Sequence, residues 1–191
     1  MTTTASYKKS AVKGASGKAQ ASKPSGAAVR TGDAERTGRN PKARSSVLQL
    51  FNFASVYNAA AMERIEWIKG GVDATNVQVF AERLDTSKDQ LMKTLGLPRA
   101  TIDRKAKAHQ QLSTEQAERL VGLSKLVGQV QTMVEQSGDP AGFDAAQWVG
   151  RWLERPNPAL GGRRPAELMD TMAGQEVVSG LVAKMATGAY A

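Results

Sequence analysis

The chain has 191 residues, of which 41% are hydrophobic, which is enough to bury one moderate core or two small ones. It has no cysteine, which excludes disulfides and cysteine-ligated metal, and its single histidine, His109, argues against a histidine-based site. The formal net charge is +8 and is unevenly distributed along the chain.

Residues 1–45 carry this whole charge, with ten basic side chains against two acidic ones. They are rich in small and polar residues, so they cannot bury enough apolar surface to offset an ordering entropy of about 1–2 kcal/mol per residue. We predict a disordered basic tail over residues 1–46. It either binds phosphates non-specifically or is a variable, solubilising leader.

No stretch approaches the roughly 18 apolar residues of a membrane span, and the amino terminus lacks the apolar segment of a secretory signal. We therefore expect a cytoplasmic protein with no membrane partner. The sequence offers no nucleophile with a base, paired-carboxylate site, metal ligands or phosphate loop. We expect a non-enzymatic protein with no catalytic residue, no metal and no cofactor.

The ordered chain is predicted to begin near Val47 with an apolar cluster and two helices. The first helix ends at Gly70-Gly71, and the second runs from about Asp73 to Leu84. Trp67 is interpreted as a packing residue. The predicted inward positions are Ala61, Ile65 and Ile68 in the first helix, and Val77, Phe80, Ala81 and Leu84 in the second.

Residues 86–105 have the pattern of a helix-turn-helix. Ser87 and Gln90 form a capping box that opens a short helix. Gly96 supplies the left-handed residue of the turn, and Pro98 starts a second helix. The predicted inward positions are Leu91, Leu95 and Ile102. The pattern departs from the usual one at Met92, where a small residue is more common.

If residues 98–107 form a recognition helix, its outward side chains contact DNA. Arg99 and Arg104 would then reach base edges, with other residues nearer to phosphates. The candidate DNA-binding residues are Arg99, Ala100, Thr101, Asp103, Arg104, Lys105 and Lys107. The alternative is a plain helical hairpin with a basic, solvated face.

A second capping box, Ser113 with Gln116, opens the longest predicted helix, which runs to about Gln136. This helix is either the spine of the core or, because helix-turn-helix proteins usually bind two-fold half-sites, a dimer contact. Its apolar stripe is Ala117, Leu120, Val121, Val127, Val130 and Val134.

The carboxyl-terminal segment is predicted to hold three more helices. The first, from Phe143 to Arg155, has Trp148 and Trp152 on one face, where they are core residues or anchors for a partner. The second runs from Pro165 to about Met172. After a break at Gly174 comes the third, which carries Val177, Val178, Leu181, Val182 and Met185.

Residues 157–170 connect two of these helices through two prolines and two glycines, which fix a bend. Arg163 and Arg164 stand beside the positive end of the following helix dipole, a poor place for cations unless an anion or an acidic partner is near. The segment is therefore either a contact surface or a rigid turn with solvated arginines.

The carboxyl-terminal half closely resembles the toxin-binding domain of Xre/MbcA/ParS-type antitoxins. An Xre-like helix-turn-helix precedes that domain in the family, as it does here, and the resemblance covers about residues 55–191. It departs at Arg164, where the family more often has a small hydroxyl residue. The matching positions are Trp152, Leu153, the segment 157–163, Pro165, Leu168, Gly174, Val177, Leu181 and Gly188.

The resemblance implies an all-α type II antitoxin that neutralises a RES-domain, NAD-degrading toxin by covering its active site. It also implies repression of the antitoxin's own operon. The toxin-binding residues it implies are Trp152, Leu160, Gly161, Gly162, Arg163, Arg164, Gly188 and Tyr190.

After the basic tail, the expected organisation is a helix-turn-helix DNA-binding domain at residues 47–112, a connecting or dimerisation helix at 113–138 and a toxin-binding domain at 139–191. The expected partners are the RES-domain toxin, operator DNA and a second copy of the chain. The alternative is a dimeric helix-turn-helix regulator with a protein-interaction domain and no toxin partner.

Overall fold

The computed structural model of the chain describes residues 49–138 and 140–186. Expectations for the tail over residues 1–46, the start near Val47, and Gly188 and Tyr190 lie outside these residues. Within them the fold is all-α, as predicted. The helices are α1 (Phe53–Asn58), α2 (Ala61–Gly70), α3 (Asn76–Arg83), α4 (Lys88–Thr94), α5 (Arg99–Lys107), α6 (Thr114–Ser137), α7 (Ala145–Leu153) and α8 (Met172–Ala186). Two 3-10 helices, Pro158–Leu160 and Pro165–Leu168, lie between α7 and α8.

Side-chain caps fix where several helices begin. Ser113 and Gln116 form the complete capping box that the sequence predicts, which starts the 24-residue helix α6. The box predicted at Ser87 is only half formed. The Ser87 hydroxyl accepts from the Gln90 N–H, but the Gln90 side chain donates to Glu154 Oε1 instead, at 2.8 Å.

Helix α6 is the spine of the core, and α1, α2, α7 and α8 pack against it. Its middle is buried on almost every side, from Leu120 to Val130. The predicted apolar stripe of α6 therefore packs against other helices of the same chain. Val134, its last member near the carboxyl end, is only half-buried. Homodimerisation remains a prediction that this packing neither supports nor opposes.

The predicted helix-turn-helix pattern corresponds to α4, the turn at Gly96 and α5. Gly96 has φ 58°, which is the left-handed conformation that the sequence predicts. The predicted inward side chains of α3, α4 and α5 are buried, and Met92 is buried with them. Helices α3 and α4 pack together, and Ile102 of α5 lies in the same core. Helix α5, the second helix of the motif, therefore has one buried side and one outward side.

Three predictions about helices are wrong. Helix α2 buries none of its residues, and Ile65 is 40% exposed, because only Trp67 and Ile68 reach the core. The helix predicted from Pro165 to Met172 is a single 3-10 turn that ends at Leu168. Gly174 does not break a helix but lies buried in the first turn of α8, where an added Cβ would collide with the Leu168 carbonyl.

In the part of the chain that the structure describes, no helix is both long and apolar enough to cross a membrane.

Candidate functional site

The outward surface of α5 carries basic side chains from the predicted DNA-binding set. Ala100, Arg104 and Lys107 are exposed, whereas Thr101 and Lys105 are half-buried. Among the described residues, neither Arg104 nor Lys107 has an ion-pair or side-chain hydrogen-bond partner. Their charges are therefore available to an anionic partner such as a phosphate backbone.

Two other members of that set, Arg99 and Asp103, form ion pairs within the chain. Lys88 Nζ lies 2.5 Å from Asp103 Oδ1, and this hydrogen bond, helped by the charges of Lys88 and Arg99, holds the pKa of Asp103 below its ordinary value of 3.8. Arg99 Nη1 lies 2.8 Å from Asp89 Oδ2. Asp103 and Arg99 thus join α5 to α4.

The turn between α4 and α5 is held from α6. Arg119 Nη1 donates to the carbonyl oxygens of Leu95, at 3.3 Å, and Gly96, at 3.0 Å. These carbonyls end α4, so the guanidinium also places a positive charge at the negative end of that helix. The geometry of the motif therefore depends on the helix that forms the core of the whole fold.

The connector after α7 is a loop closed by Asn157, which is 7% exposed. Asn157 Oδ1 accepts from the Ala159 N–H at 2.9 Å, and the backbone N–H of Asn157 donates to the Arg163 carbonyl at 2.9 Å. Gly161 and Gly162 have φ values of 66° and 83°, which glycine adopts without strain. The bend predicted at this segment is therefore fixed by hydrogen bonds, with both glycines exposed at its tip.

The two arginines of the connector have different surroundings. Arg164 Nη1 lies 3.1 Å from Glu154 Oε2, and Arg164 Nε lies 3.0 Å from Glu167 Oε1. These contacts raise the pKa of Arg164 and lower that of Glu167 from its ordinary value of 4.5. The chain itself thus supplies the negative charge that Arg164 requires. Arg163 is exposed and forms no ion pair within the described ranges.

An aromatic row lies on α7, next to the connector. The rings of Trp148 and Trp152 are stacked, with centroids 5.7 Å apart and planes at 11°. Phe143 extends the row, at 6.3 Å from Trp148, and is 37% exposed. Both tryptophans are half-buried against the core, so they pack as the sequence favours and still present an edge to solvent.

The predicted toxin-binding residues lie in two adjacent places. The ion pair between Arg164 and Glu154 brings the connector against the end of α7, two residues beyond Trp152. Leu160 is half-buried at the connector's first 3-10 turn. Gly188 and Tyr190 belong to the undescribed carboxyl terminus, so the site has no geometry for them.

Sequence analysis missed Gln175, which ties this region to α6. Its Nε2 donates to the carbonyl oxygens of Met169, at 2.9 Å, and Arg119, at 3.1 Å. The same Arg119 holds the turn of the helix-turn-helix. Gln175 stands three and seven residues before Val178 and Val182, on the buried side of α8, and a polar side chain at such a position was the signal that could have singled it out.

Within residues 49–138 and 140–186, no three His, Cys, Asp or Glu side chains are grouped as a metal site requires. The surfaces that stand out are instead suited to macromolecules: a basic helix face on α5, and a connector beside an aromatic row.

Comparison with known proteins finds a separate family match for the region of each surface. Residues 63–125 match the antitoxin Xre-like helix-turn-helix domain, and residues 141–188 match the antitoxin Xre/MbcA/ParS C-terminal toxin-binding domain. The chain is 44% identical over 150 residues to the Prs ADP-ribosylating antitoxin of Sphingobium sp. (strain YBL2). The aligned residues cover 78% of this chain and 94% of that protein.

The fold and its two surfaces define an all-helical antitoxin with a helix-turn-helix and a toxin-binding domain. More narrowly, the chain belongs to the Xre/MbcA/ParS family of antitoxins, as its residues suggested.

Proposed function

We propose that this antitoxin binds a RES-domain toxin that consumes NAD. The antitoxin neutralises this toxin by covering the toxin's active site. The observation that carries the proposal is the toxin-binding domain at residues 141–188, which contains the hydrogen-bonded connector with the exposed Arg163. The chain acts by occlusion and is not itself an enzyme. It works in the cytoplasm.

The relative from Sphingobium supports NAD chemistry in the partner, because its name refers to ADP-ribosylation of Prs. An ADP-ribosyl transfer that uses NAD breaks the bond between ribose and nicotinamide, as NAD hydrolysis does. A site for either reaction must hold a pyrophosphate, so we propose that Arg163, Gly188 and Tyr190 lie against the entrance of that site. Residues that occupy this entrance would block the passage of the substrate into the site.

We further propose that the chain represses its own operon as a homodimer, with α5 as the recognition helix. Arg104 and Lys107 are the exposed basic residues of this helix without partners in the described ranges, which favours contacts to DNA. Arg99 reaches DNA only by exchanging or sharing its pair with Asp89.

Co-expression with the product of the neighbouring gene tests the proposal. We expect the two proteins to co-purify, and the cellular NAD level to fall when the neighbour is expressed alone and to recover when this chain is added. Removal of residues 187–191 should restore toxicity while the far-ultraviolet circular dichroism of the helices is kept.

Equal protection by the truncated and full chains would exclude occlusion by the terminal residues. The alternative predicts that the neighbouring protein neither binds this chain nor lowers the cellular NAD level. If this chain still binds the promoter of its own gene, it is a helix-turn-helix regulator without a toxin partner.

A further inference from the structure

Helix α8 is largely apolar on a side that the described residues leave uncovered. Its polar side chains are confined to Gln175, Glu176, Ser179 and Lys184 among 15 residues. Its inner face packs on α6, yet Val177 is 51% exposed and Met172 is 44% exposed. A helix at a protein surface normally turns charged residues to solvent, so this composition is typical of a helix covered on both sides.

Gly180 lies on the same outer face and is not required by packing among the described residues. A Cβ added at Gly122, Gly128, Gly150 or Gly174 would collide with a neighbouring residue, so close packing explains each of those helical glycines. At Gly180 an added Cβ meets no atom within 4 Å among the described residues. Glycine in the interior of a helix is destabilising, and here nothing within the described fold compensates for it.

The edge of this face opens into a cleft of about 180 Å³ between α6 and α8. Gln175 lines the cleft and is only 7% exposed, and its Oε1 has no hydrogen-bond donor among the described residues. Buried polar atoms without partners are rare in folded proteins. A Cβ added at Gly122 would lie 1.8 Å from this oxygen, so the unpaired acceptor faces α6 inside the cleft and does not belong to the outer face.

We propose that the outer face of α8, formed by Ala173, Val177 and Gly180 with Met172 at its edge, is a docking surface for the toxin. An apolar segment of the toxin packs on Val177 and approaches the backbone closely at Gly180. This inference rests on the proposed function and adds to it a surface separate from the connector.

Two observations favour the toxin over other occupants. The face lies within residues 141–188, which match the toxin-binding domain. The face also has no excess charge, because exposed Lys184, four residues after Gly180 on the same side, is balanced by Glu176 at the edge, and this suits a protein surface and not a nucleic acid. A second copy of the chain is the competing occupant, and the test distinguishes it.

The test compares Gly180→Leu with Gly70→Leu, a matched control at the end of α2. Gly70 is also exposed, and an added Cβ there also meets nothing within 4 Å among described atoms. We expect both variants to keep the wild-type thermal midpoint or exceed it, because each replaces glycine in a helix. The RES-domain protein that co-purifies with the wild-type chain is then titrated into each variant by calorimetry.

Gly180→Leu should weaken toxin binding at least about tenfold, since overpacking a close contact commonly has an effect of this size, and Gly70→Leu should leave it unchanged. Unchanged toxin binding by Gly180→Leu would refute the docking surface and leave the proposed function intact. A variant that loses self-association in light scattering but keeps toxin binding would assign the face to a second copy. If no such protein co-purifies with the wild type, the proposed function fails and this inference fails with it.

Discussion

Arg163 and Arg164 are adjacent in sequence, but they should respond differently to mutation. Arg164 forms ion pairs with Glu154 and Glu167, whereas Arg163 forms none within the described residues. We expect Arg164→Ala to lower the thermal midpoint slightly, because it leaves two carboxylates without their cation. Arg163→Ala should keep the midpoint and weaken toxin binding about tenfold, since it removes a charge-assisted contact in the proposed interface.

Thermal unfolding and toxin titration of both variants check this prediction. Lysine at position 163 is the control, because it keeps the positive charge and should bind toxin better than alanine does. Loss of toxin binding in Arg164→Ala without a change in stability would reverse the assignment of the two arginines.

Asp103 should contribute to stability in a way that depends on pH. The hydrogen bond from Lys88 holds the pKa of this carboxyl in the folded state below its ordinary value of 3.8. Its contribution is thus complete above pH 3.8 and is lost as the pH falls through the lower folded-state value. Urea unfolding of the wild type and Asp103→Asn from pH 6 to pH 2 should therefore show a smaller acid loss in the variant.

The cause of this effect can be tested in the same series. In a Lys88→Met background, Asp103→Asn should change the acid loss much less, because the partner that lowers the pKa of Asp103 is gone. Parallel pH profiles for the wild type and Asp103→Asn would show that the pair does not contribute to stability.

At the scale of single elements, the crossing of α1 over α6 leaves no room for added volume. A Cβ at Gly128 would collide with the backbone carbonyl of Phe53, which cannot rotate away as a side chain can. We expect Gly128→Ala to destabilise the fold by about 1–3 kcal/mol, the usual effect of overpacking. Denaturant unfolding measures this, with Gly70→Ala as the control; equal stability of the two variants would contradict the close crossing.

Helix α5 should contribute to DNA binding mainly through Arg104 and Lys107. Alanine at Lys107 should weaken binding to any sequence and reduce the log-log salt slope by about 0.9, as loss of one phosphate contact does. Arg104→Ala should in addition relax the preference for the operator, if this side chain reads a base. Binding to operator and random duplexes at several salt concentrations separates the two effects. Unchanged binding by both variants would exclude α5 as the recognition helix.

Local signals in the sequence were sufficient for much of the fold. The capping box at Ser113, the turn at Gly96 and the inward positions of α3 to α5 follow from chemistry within a few residues, and the structure confirms them. The apolar spacing of Ile65 predicted burial wrongly, because whether a helix face is covered depends on distant elements. Gly174 was misread for the same reason, since its close contact with Leu168 belongs to tertiary packing.

The candidate site, like the fold, was predictable only where the signal lies within a few neighbouring residues. The connector was recognisable from its prolines and glycines, but the partner of Arg164 was not, since Glu154 lies ten residues earlier and is itself bonded to Gln90, 64 residues away. Gln175 joins α8 to carbonyl oxygens on the connector and on α6, and a backbone acceptor leaves no sequence signal. Residue types at the site were thus predictable, but the contacts that position them were not.

At the scale of the whole molecule, the helix-turn-helix region and the toxin-binding domain share one core. Residues from Leu50 to Val182 belong to a single hydrophobic cluster around α6, and the described residues form one compact unit. Arg119 holds the turn of the helix-turn-helix and accepts, through its carbonyl, a hydrogen bond from Gln175 on α8. Neither region can therefore unfold without exposing apolar surface on α6.

We accordingly expect the chain to unfold in a single cooperative transition. Tryptophan fluorescence reports on α2 through Trp67 and on α7 through Trp148 and Trp152, whereas far-ultraviolet circular dichroism reports on all helices. The midpoints in urea should coincide for the two probes, and Gln175→Leu should shift both by the same amount, because α8 stabilises the shared core. Two separate midpoints, or a shift confined to one probe, would show that the two regions fold independently. Coincident midpoints would mean that a toxin bound at the carboxyl-terminal half also stabilises the helix-turn-helix, since ligand binding to the native state stabilises every part of a cooperative unit.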